Sequence, residues 1–210
     1  MQNKLLYISI LALIILTRCG RKEVTDYRTY LKCLANKDYG LVKEKTVAGI
    51  SYKLKHLPSE YVMYTSDSDI TQKSKQLKDS LKKIHSNSVT FLLNIGLENS
   101  KIKTDITRID VSSYSEFANR IEKMAFKAQE WIKLKVRDKE FSPSIVRLET
   151  LNSVETSRNF LVVFNAEKNT PYELLKNDIC FIYEDELFET GVNKFLFNKS
   201  DFENFPLFVF

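Results

Sequence analysis

The chain has 210 residues and a formal net charge of +5 at pH 7. A charge excess this mild lacks the concentrated basic face of a nucleic-acid binder, so we expect no nucleic-acid partner. Five glycines and four prolines are too few for long structureless linkers.

The first element is a short apolar run, Leu5–Leu16, which follows Lys4 and precedes Thr17-Arg18-Cys19-Gly20. At about 1.5 Å per residue, a helix of roughly twelve residues covers about 18 Å of a hydrocarbon core about 30 Å thick. The run is therefore too short to span a bilayer, but it has the length of the apolar region of a secretory signal.

The sequence Leu16-Thr17-Arg18-Cys19 resembles the processing site of bacterial lipoprotein signals, in which a leucine stands three places before the cysteine. Arg18 departs from that pattern, because the family has a small residue there. The resemblance implies a signal peptide at 1–18 and a Cys19 that becomes the new N-terminus and carries acyl chains such as palmitate. It also implies a lipid-anchored location in the cell envelope, with the membrane and its face left open. The alternatives are an uncleaved signal anchor and a signal that is cut elsewhere.

The remaining chain is rich in Lys, Asn, Ile and Phe, and in this it resembles Bacteroidota lipoproteins of unknown role. We divide it into a lipid-anchored tether with a short helix at 19–40 and a single α+β domain at 41–210. About 190 residues are enough to bury one core.

The first folded elements are a helix and a hairpin. Apolar side chains recur at helical spacing up to Asn36, which predicts a short helix. The segments Leu41–Val47 and Ile50–Lys55 flank Ala48-Gly49, where glycine can supply the positive φ of a two-residue turn. We therefore predict an antiparallel hairpin.

A Lys-rich surface helix is predicted from Thr65 to about Ser86. Ser and Asp oxygens that can cap a helix precede a narrow apolar stripe, which comprises Ile70, Leu77, Leu81 and Ile84. We expect the helix to lie on the domain by this one edge. Its lysines are interpreted as a solvated face, and contact with acidic phospholipid near the anchor is the alternative.

A central strand and a long helix follow. Val89–Leu97 has five apolar side chains on one face and Leu92 among the residues of the other, and so apolar a strand is typical of the middle of a sheet. Apolar residues then recur in steps of three and four, which predicts one long packing helix over Tyr114–Val136.

The chain after Pro143 is predicted to be β-rich, and its Phe-rich end is expected to dock on its own sheet or on a partner. The predicted strands are Ile145–Leu151, Phe160–Ala166, Ile179–Tyr183 and Lys194–Phe197. The predicted fold class is α+β, with a mostly antiparallel sheet of six to seven strands packed by one long helix and one shorter surface helix.

No catalytic constellation emerges from the sequence. His56 stands at a predicted strand end and His85 in the last turn of the Lys-rich helix, so we expect capping or solvent roles for both. No serine-nucleophile motif is present, and the five glycines are too dispersed to cradle a phosphate. We therefore predict no catalytic residue and no cofactor.

The cysteines and one acidic run are the remaining candidates for a disulfide or a metal site. With Cys19 lipidated, Cys33 and Cys180 would remain either as a disulfide or as two separate buried thiols. Glu184-Asp185-Glu186 with Glu189 is interpreted as a solvated turn or acidic patch, with calcium binding as the alternative. The sequence lacks zinc-like spacing, so no metal site is predicted.

The tether and the missing chemistry favour a membrane-anchored cell-envelope lipoprotein. We expect a non-catalytic binding or accessory protein that contacts another envelope protein, in an oligomeric state that the sequence leaves open. The alternatives are an envelope hydrolase that uses dispersed carboxylates and a carrier of a small apolar ligand. A cavity that holds two acids, or His56 with an acid, would favour the hydrolase, and a dry apolar cavity would favour the carrier.

Overall fold

The computed structural model describes residues 21–67, 69–85, 87–99, 103–149, 156–165 and 171–209, with the backbone alone at 171–173. The predicted signal peptide at 1–18 and Cys19 lie outside these ranges.

Five short helices and eleven strands are found within the described ranges. The helices are α1 Tyr27–Ala35, α2 Ser59–Ser66, α3 Lys75–His85, α4 Tyr114–Phe126 and α5 Lys199–Glu203. The strands are β1 Glu23–Val24, β2 Val42–Val47, β3 Ile50–Leu57, β4 Ser88–Leu97, β5 Ile132–Val136, β6 Lys139–Phe141, β7 Ile145–Leu148, β8 Arg158–Asn165, β9 Ile179–Asp185, β10 Gly191–Phe197 and β11 Leu207–Phe208.

The strands form three sheets. One has the order β2-β3-β4-β8-β7 and the second has the order β10-β9-β5-β6, and every pairing in these two sheets is antiparallel. The third is a two-stranded parallel pair of β1 and β11. Because β4 lies in the middle of the five-stranded sheet, the prediction of a central strand at Val89–Leu97 is confirmed.

The five-stranded and four-stranded sheets pack face to face through phenylalanine rings. Phe91 on β4 lies 5.2 Å from Phe181 on β9 and 5.5 Å from Phe197 on β10, measured between ring centroids. Phe164 on β8 also contacts Phe181, at 6.0 Å. All four side chains are fully buried. The two pairs that involve Phe181 are edge-to-face, a geometry that stabilises a ring pair by about 0.5–1.5 kcal/mol beyond the effect of burial, and the Phe91–Phe197 pair is tilted.

The α+β class is confirmed, but the predicted arrangement of one sheet under one long helix is wrong. Helix α4 ends at Phe126, a 3-10 turn follows at Ala128–Trp131, and β5 then occupies Ile132–Val136. In β5 the side chains alternate between buried and exposed, with buried residues at Ile132, Leu134 and Val136. A period of two fits a strand and places the second sheet, not a helix, against the first.

The predicted hairpin is confirmed. Strands β2 and β3 pair in register from Val47↔Ile50, and Ala48 and Gly49 both have positive φ. Two positive φ values give the turn a twist that matches the flanking strands.

The segment that the sequence assigned to a tether is packed into the domain. Val24 on β1 and both Tyr30 and Leu34 on α1 belong to the hydrophobic core. Helix α1 ends at Ala35, next to its predicted end at Asn36, and Asp26 caps its start by accepting a hydrogen bond from the Thr29 N–H group at 2.7 Å. The C-terminal residues dock on this segment, because β11 pairs with β1 and Phe208 stacks on Tyr30.

Candidate functional site

The chain is tied to the domain within two residues of Cys19. Arg21 is the first described residue, and its guanidinium donates hydrogen bonds to the carbonyl oxygens of Phe202 and Phe205. The β1–β11 pairing follows at once. The structure therefore leaves little free chain between the predicted lipidation site and the folded core.

A cavity of about 300 Å³ lies where this N-terminal segment meets the end of β3. Its apolar wall comprises Leu41, Pro58, Leu175, Phe202, Phe205 and Leu207. Its polar side chains are Arg21, His56, Ser59, Glu60, Lys82 and Ser88. An apolar wall with a few convergent polar groups is the usual composition of a ligand site.

Pro58 positions one side of this cavity. It lacks the N–H that a central strand would need, so β3 ends before it and α2 begins after it. His56 therefore stands near the end of β3, and both Ser59 and Glu60 stand in the first turn of α2. A carboxylate in the first turn of a helix is stabilised by the helix dipole.

His56 is buried, with 4% of its surface exposed, so the expected capping or solvent role is wrong. Its ring packs edge-on between Phe91 at 5.5 Å and Phe202 at 5.1 Å. Burial, together with the smaller effect of the Arg21 charge, lowers the pKa of His56 to about 3, so the ring is neutral at neutral pH. Among the described residues, its Nδ1 atom has no hydrogen-bond partner.

The charged groups of the cavity do not cancel. Glu60 is buried, and its carboxylate accepts a hydrogen bond from the Ser59 hydroxyl at 3.1 Å and lies 3.7 Å from the Lys82 ammonium. Arg21 adds a second cation, which donates to backbone carbonyls. Two cations and one carboxylate leave the site with one net positive charge, which favours an anionic or strongly polar ligand group.

Tyr30 lies beside this site. Its ring packs edge-on against Phe205 at 5.5 Å, and its hydroxyl is buried without a partner in the described part of the chain. Burial raises the pKa of Tyr30 well above its ordinary value, and the nearby charge of Glu60 raises it further. Buried polar atoms normally have hydrogen-bond partners, so this hydroxyl is an exception beside the cavity, although Tyr30 does not line it.

The arrangement suits binding better than nucleophilic catalysis. A serine nucleophile needs a hydrogen bond to an imidazole that a third group orients. In the described ranges, the hydroxyls of Ser59 and Ser88 donate to Glu60 and to the His85 carbonyl instead, and no bond joins either to His56. Those ranges also contain no cluster of His, Cys, Asp and Glu that could hold a metal ion.

The acidic run divides into two parts. Glu184, Glu186 and Glu189 are exposed, as a solvated turn requires, but Asp185 is buried. The Asp185 carboxylate accepts six hydrogen bonds, from the hydroxyls of Tyr52, Tyr183 and Thr190 and from the N–H groups of Leu187, Phe188 and Thr190. It is a structural anchor for the turn after β9, and its oxygens are fully engaged.

The thiols of Cys33 on α1 and Cys180 on β9 are both free and partly buried, so the disulfide alternative is wrong. His85 lies in the last turn of α3, as expected. No helix in the described ranges is long and apolar enough to cross a membrane.

Sequence reasoning missed His56 and Asp185, although a signal for each is present in the chain. His56 is an even number of residues from Ile50, Tyr52 and Leu54, and these four share the inward face of β3. Asp185 shares the inward face of β9 with Phe181 and Tyr183 in the same way. Strand parity therefore predicts burial for both.

The fold and the cavity define an α+β domain built on two packed antiparallel sheets, with a mixed polar and apolar site at its N-terminal end. No family model matches the chain, and no curated protein is significantly similar to it. It is similar to the crystal structure of a novel protein of unknown function from Burkholderia pseudomallei K96243, with 8% identity and a TM-score of 0.39, over 85% of this chain and 88% of that chain.

Proposed function

We propose that the protein is lipid-anchored in the bacterial cell envelope and acts as a non-catalytic binding or accessory protein for another envelope protein. The lipobox-like sequence that ends at Cys19 supports the anchor. An extended chain covers about 3.3–3.6 Å per residue, so Arg21 would lie within roughly 7 Å of the lipidated cysteine. The domain would then stand directly on the membrane, with the cavity at its membrane-proximal end.

The cavity is the observation that carries the binding role. Arg21 and Lys82 supply positive charge, the neutral His56 supplies a polar edge, and an aromatic and aliphatic wall faces them. A partner segment with an apolar stem and an acidic head would satisfy both sides. Desolvated pockets of this kind hold the residues that dominate interface energies.

The anchor is tested by the mass of the mature N-terminus and by membrane fractionation of the full chain. We expect the mature chain to begin at an acylated Cys19, and we expect Cys19→Ala to prevent acylation and processing there. A mature chain that begins elsewhere would overturn the anchor and leave the cavity untouched.

The binding role is tested by photo-cross-linking in native membranes. A benzoylphenylalanine at Lys82, which lines the cavity and is half exposed, should give a discrete adduct with one envelope protein. The matched position is Glu122, an exposed residue of α4 that does not line the cavity. Equal labelling from both positions, or no adduct from Lys82, would contradict the proposal.

A second candidate, a carrier of a small apolar ligand, is favoured by the six apolar residues of the cavity wall. Native mass spectrometry of the protein purified from its own membranes should then detect a bound small molecule. Leu175→Trp would fill the cavity and abolish that mass increment, whereas Leu196→Trp, at an exposed position on β10, would keep it.

A further inference from the structure

Helix α3 carries its apolar stripe on the outside of the molecule. Leu77, Leu81 and Ile84 are spaced by four and three residues, so they share one face. Leu77 is 44% exposed and Ile84 is 63% exposed, and no described residue of this helix is buried. A surface helix normally turns such a stripe toward the core, but here Leu81 alone is partly buried, and the two ends of the stripe face solvent in the described structure.

Lysines flank the exposed stripe. The helix contains four lysines and one aspartate, and at about 100° per residue Lys78 and Lys83 fall on opposite sides of the Leu77–Ile84 face. Lys82 turns away from the stripe, toward Glu60 on α2. An apolar stripe bordered by lysines is the composition of helices that lie in the interface of a bilayer.

The helix lies at the end of the domain from which the chain leads to Cys19. Lys82 and Arg21 line the same cavity. Farther along α3, Lys75 and Lys78 line a groove of about 390 Å³ with Phe208 and Val209, and Phe208 pairs with Val24 of β1. The lipidation site and α3 would therefore face the same membrane.

We propose that α3 is a membrane-contacting helix. Leu77 and Ile84 enter the boundary between headgroups and acyl chains of the anchoring bilayer, and Lys78 and Lys83 contact anionic phospholipid headgroups. The orientation rests on the proposed anchor at Cys19. Acyl anchoring becomes firm when a second membrane signal is added, and each lysine near an anionic surface strengthens binding about five-fold.

The choice of an anionic bilayer over a protein partner rests on charge and position. The helix has a net excess of lysines around the stripe, which is complementary to anionic lipid, and it lies beside the segment that leads to the anchor. A second copy of this chain would present the same lysines and repel the first.

The test uses the mature chain as purified from its native membrane, in phosphatidylcholine vesicles with and without phosphatidylglycerol. An environment-sensitive fluorophore is placed at Ile84→Cys after Cys33 and Cys180 are changed to serine. The matched position is Phe126→Cys, because Phe126 is also an exposed apolar residue but lies on α4. That helix borders the turn after β9, where Glu186 and Glu189 lie, away from the cavity.

We expect the label at position 84 to shift to the blue and to be quenched by acyl-chain quenchers in the anionic vesicles alone, with no change at position 126. Changing Lys78 and Lys83 to glutamate should lower the equilibrium constant for insertion at least twenty-fold, in keeping with about five-fold for each lysine. The same emission at position 84 in neutral and anionic vesicles would overturn the proposal. A blue shift that follows protein density instead of lipid charge would assign the stripe to a second copy.

Different results would contradict the proposed anchor at Cys19 and the proposed membrane contact of α3. If the anchor at Cys19 is absent, the protein does not float with neutral vesicles, but the charge-dependent response at position 84 remains measurable with anionic ones. If α3 is not a membrane helix, the protein floats with both vesicle types and position 84 stays in water.

Discussion

The hydroxyl of Tyr52 donates a hydrogen bond of 2.8 Å to the carboxylate of Asp185, and this bond joins β3 of one sheet to β9 of the other. Thr190, in the turn between β9 and β10, donates to the same carboxylate at 2.8 Å. The pair lies at the opposite end of β3 from His56. The two sheets are thus held by phenylalanine packing in the middle and by a buried polar network at one end.

This network predicts a graded loss of stability. Tyr52→Phe removes one hydrogen bond to a charged group, so it should lower the free energy of unfolding by about 1.5–3 kcal/mol. Asp185→Ala should lower it further, because buried hydroxyl and amide donors lose their acceptor. Urea unfolding measures both. Tyr114→Phe, at an 83% exposed tyrosine, is the control, and a Tyr52→Phe variant as stable as this control would contradict the assignment.

Gly40 and Gly49 provide a matched pair for backbone strain and steric fit. Both have positive φ, at 75° and 78°, which costs about 1–2 kcal/mol for a residue with a Cβ atom. A Cβ at Gly49 would meet nothing within 4 Å, whereas one at Gly40 would lie within 2.5 Å of the Asp201 carboxyl group. Asp201 pairs with Lys43 at 2.9 Å and accepts a hydrogen bond from the Asn198 N–H group at 2.9 Å, so moving its carboxyl group would disturb both contacts.

We therefore expect Gly49→Ala to destabilise the protein by the strain alone and Gly40→Ala to destabilise it by clearly more. Thermal unfolding of the two variants, compared at one pH, measures the difference. Equal losses would show that the Asp201 side chain relaxes without cost.

The segment predicted as one long helix gives a direct test of the second sheet. In β5, Leu134 is fully buried against β9, while Lys135 is exposed. Leu134→Ala should therefore cost about 2–5 kcal/mol and Lys135→Ala less than about 0.5 kcal/mol. Amide exchange should not alternate in this way, since β5 pairs with β9 on one side and with β6 on the other, so that successive N–H groups are all protected. A cost that recurs every three to four residues from 126 to 136 would instead support the helix.

Elements with a long and regular pattern of apolar residues could be predicted from the sequence. Strands β3 and β4 were predicted correctly because they run over eight and ten residues, and β2 was predicted correctly because its turn to β3 fixes the register. The 114–136 segment was predicted wrongly because five residues of period two follow a true helix after only one 3-10 turn. A window of about 11–18 residues is dominated by the longer pattern.

The cavity could not be predicted from the sequence. Its lining unites Arg21, Glu60, Lys82, Leu175 and Phe205, which come from five separate segments of the chain. No local periodicity records that these segments meet. The burial of His56 could be predicted from the parity of β3, but the missing partner of its Nδ1 atom depends on the surrounding elements.

His56 predicts a loss of stability in acid. Its pKa is about 3 in the folded protein and about 6.5 in an unfolded chain, because burial disfavours the imidazolium. Between these values the unfolded state binds a proton that the folded state does not. This contribution to stability is therefore complete above about pH 6.5 and falls by about 1.4 kcal/mol per pH unit as the pH drops toward 3.

The measurement is urea unfolding across this window for the wild type, His56→Gln and His85→Gln. Glutamine keeps the size and polarity of the ring roughly constant but does not titrate, so His56→Gln should lose the steep acid dependence that the wild type shows below about pH 6.5. His85 is only partly buried, and burial lowers its pKa in the same direction, so His85→Gln should change the slope much less. Titrating carboxylates act equally in all three proteins and cancel in the differences. Parallel pH profiles for the wild type and His56→Gln would contradict this prediction, because they would mean that His56 binds a proton equally well in the folded and the unfolded state. The cavity would then gain one more positive charge in acid.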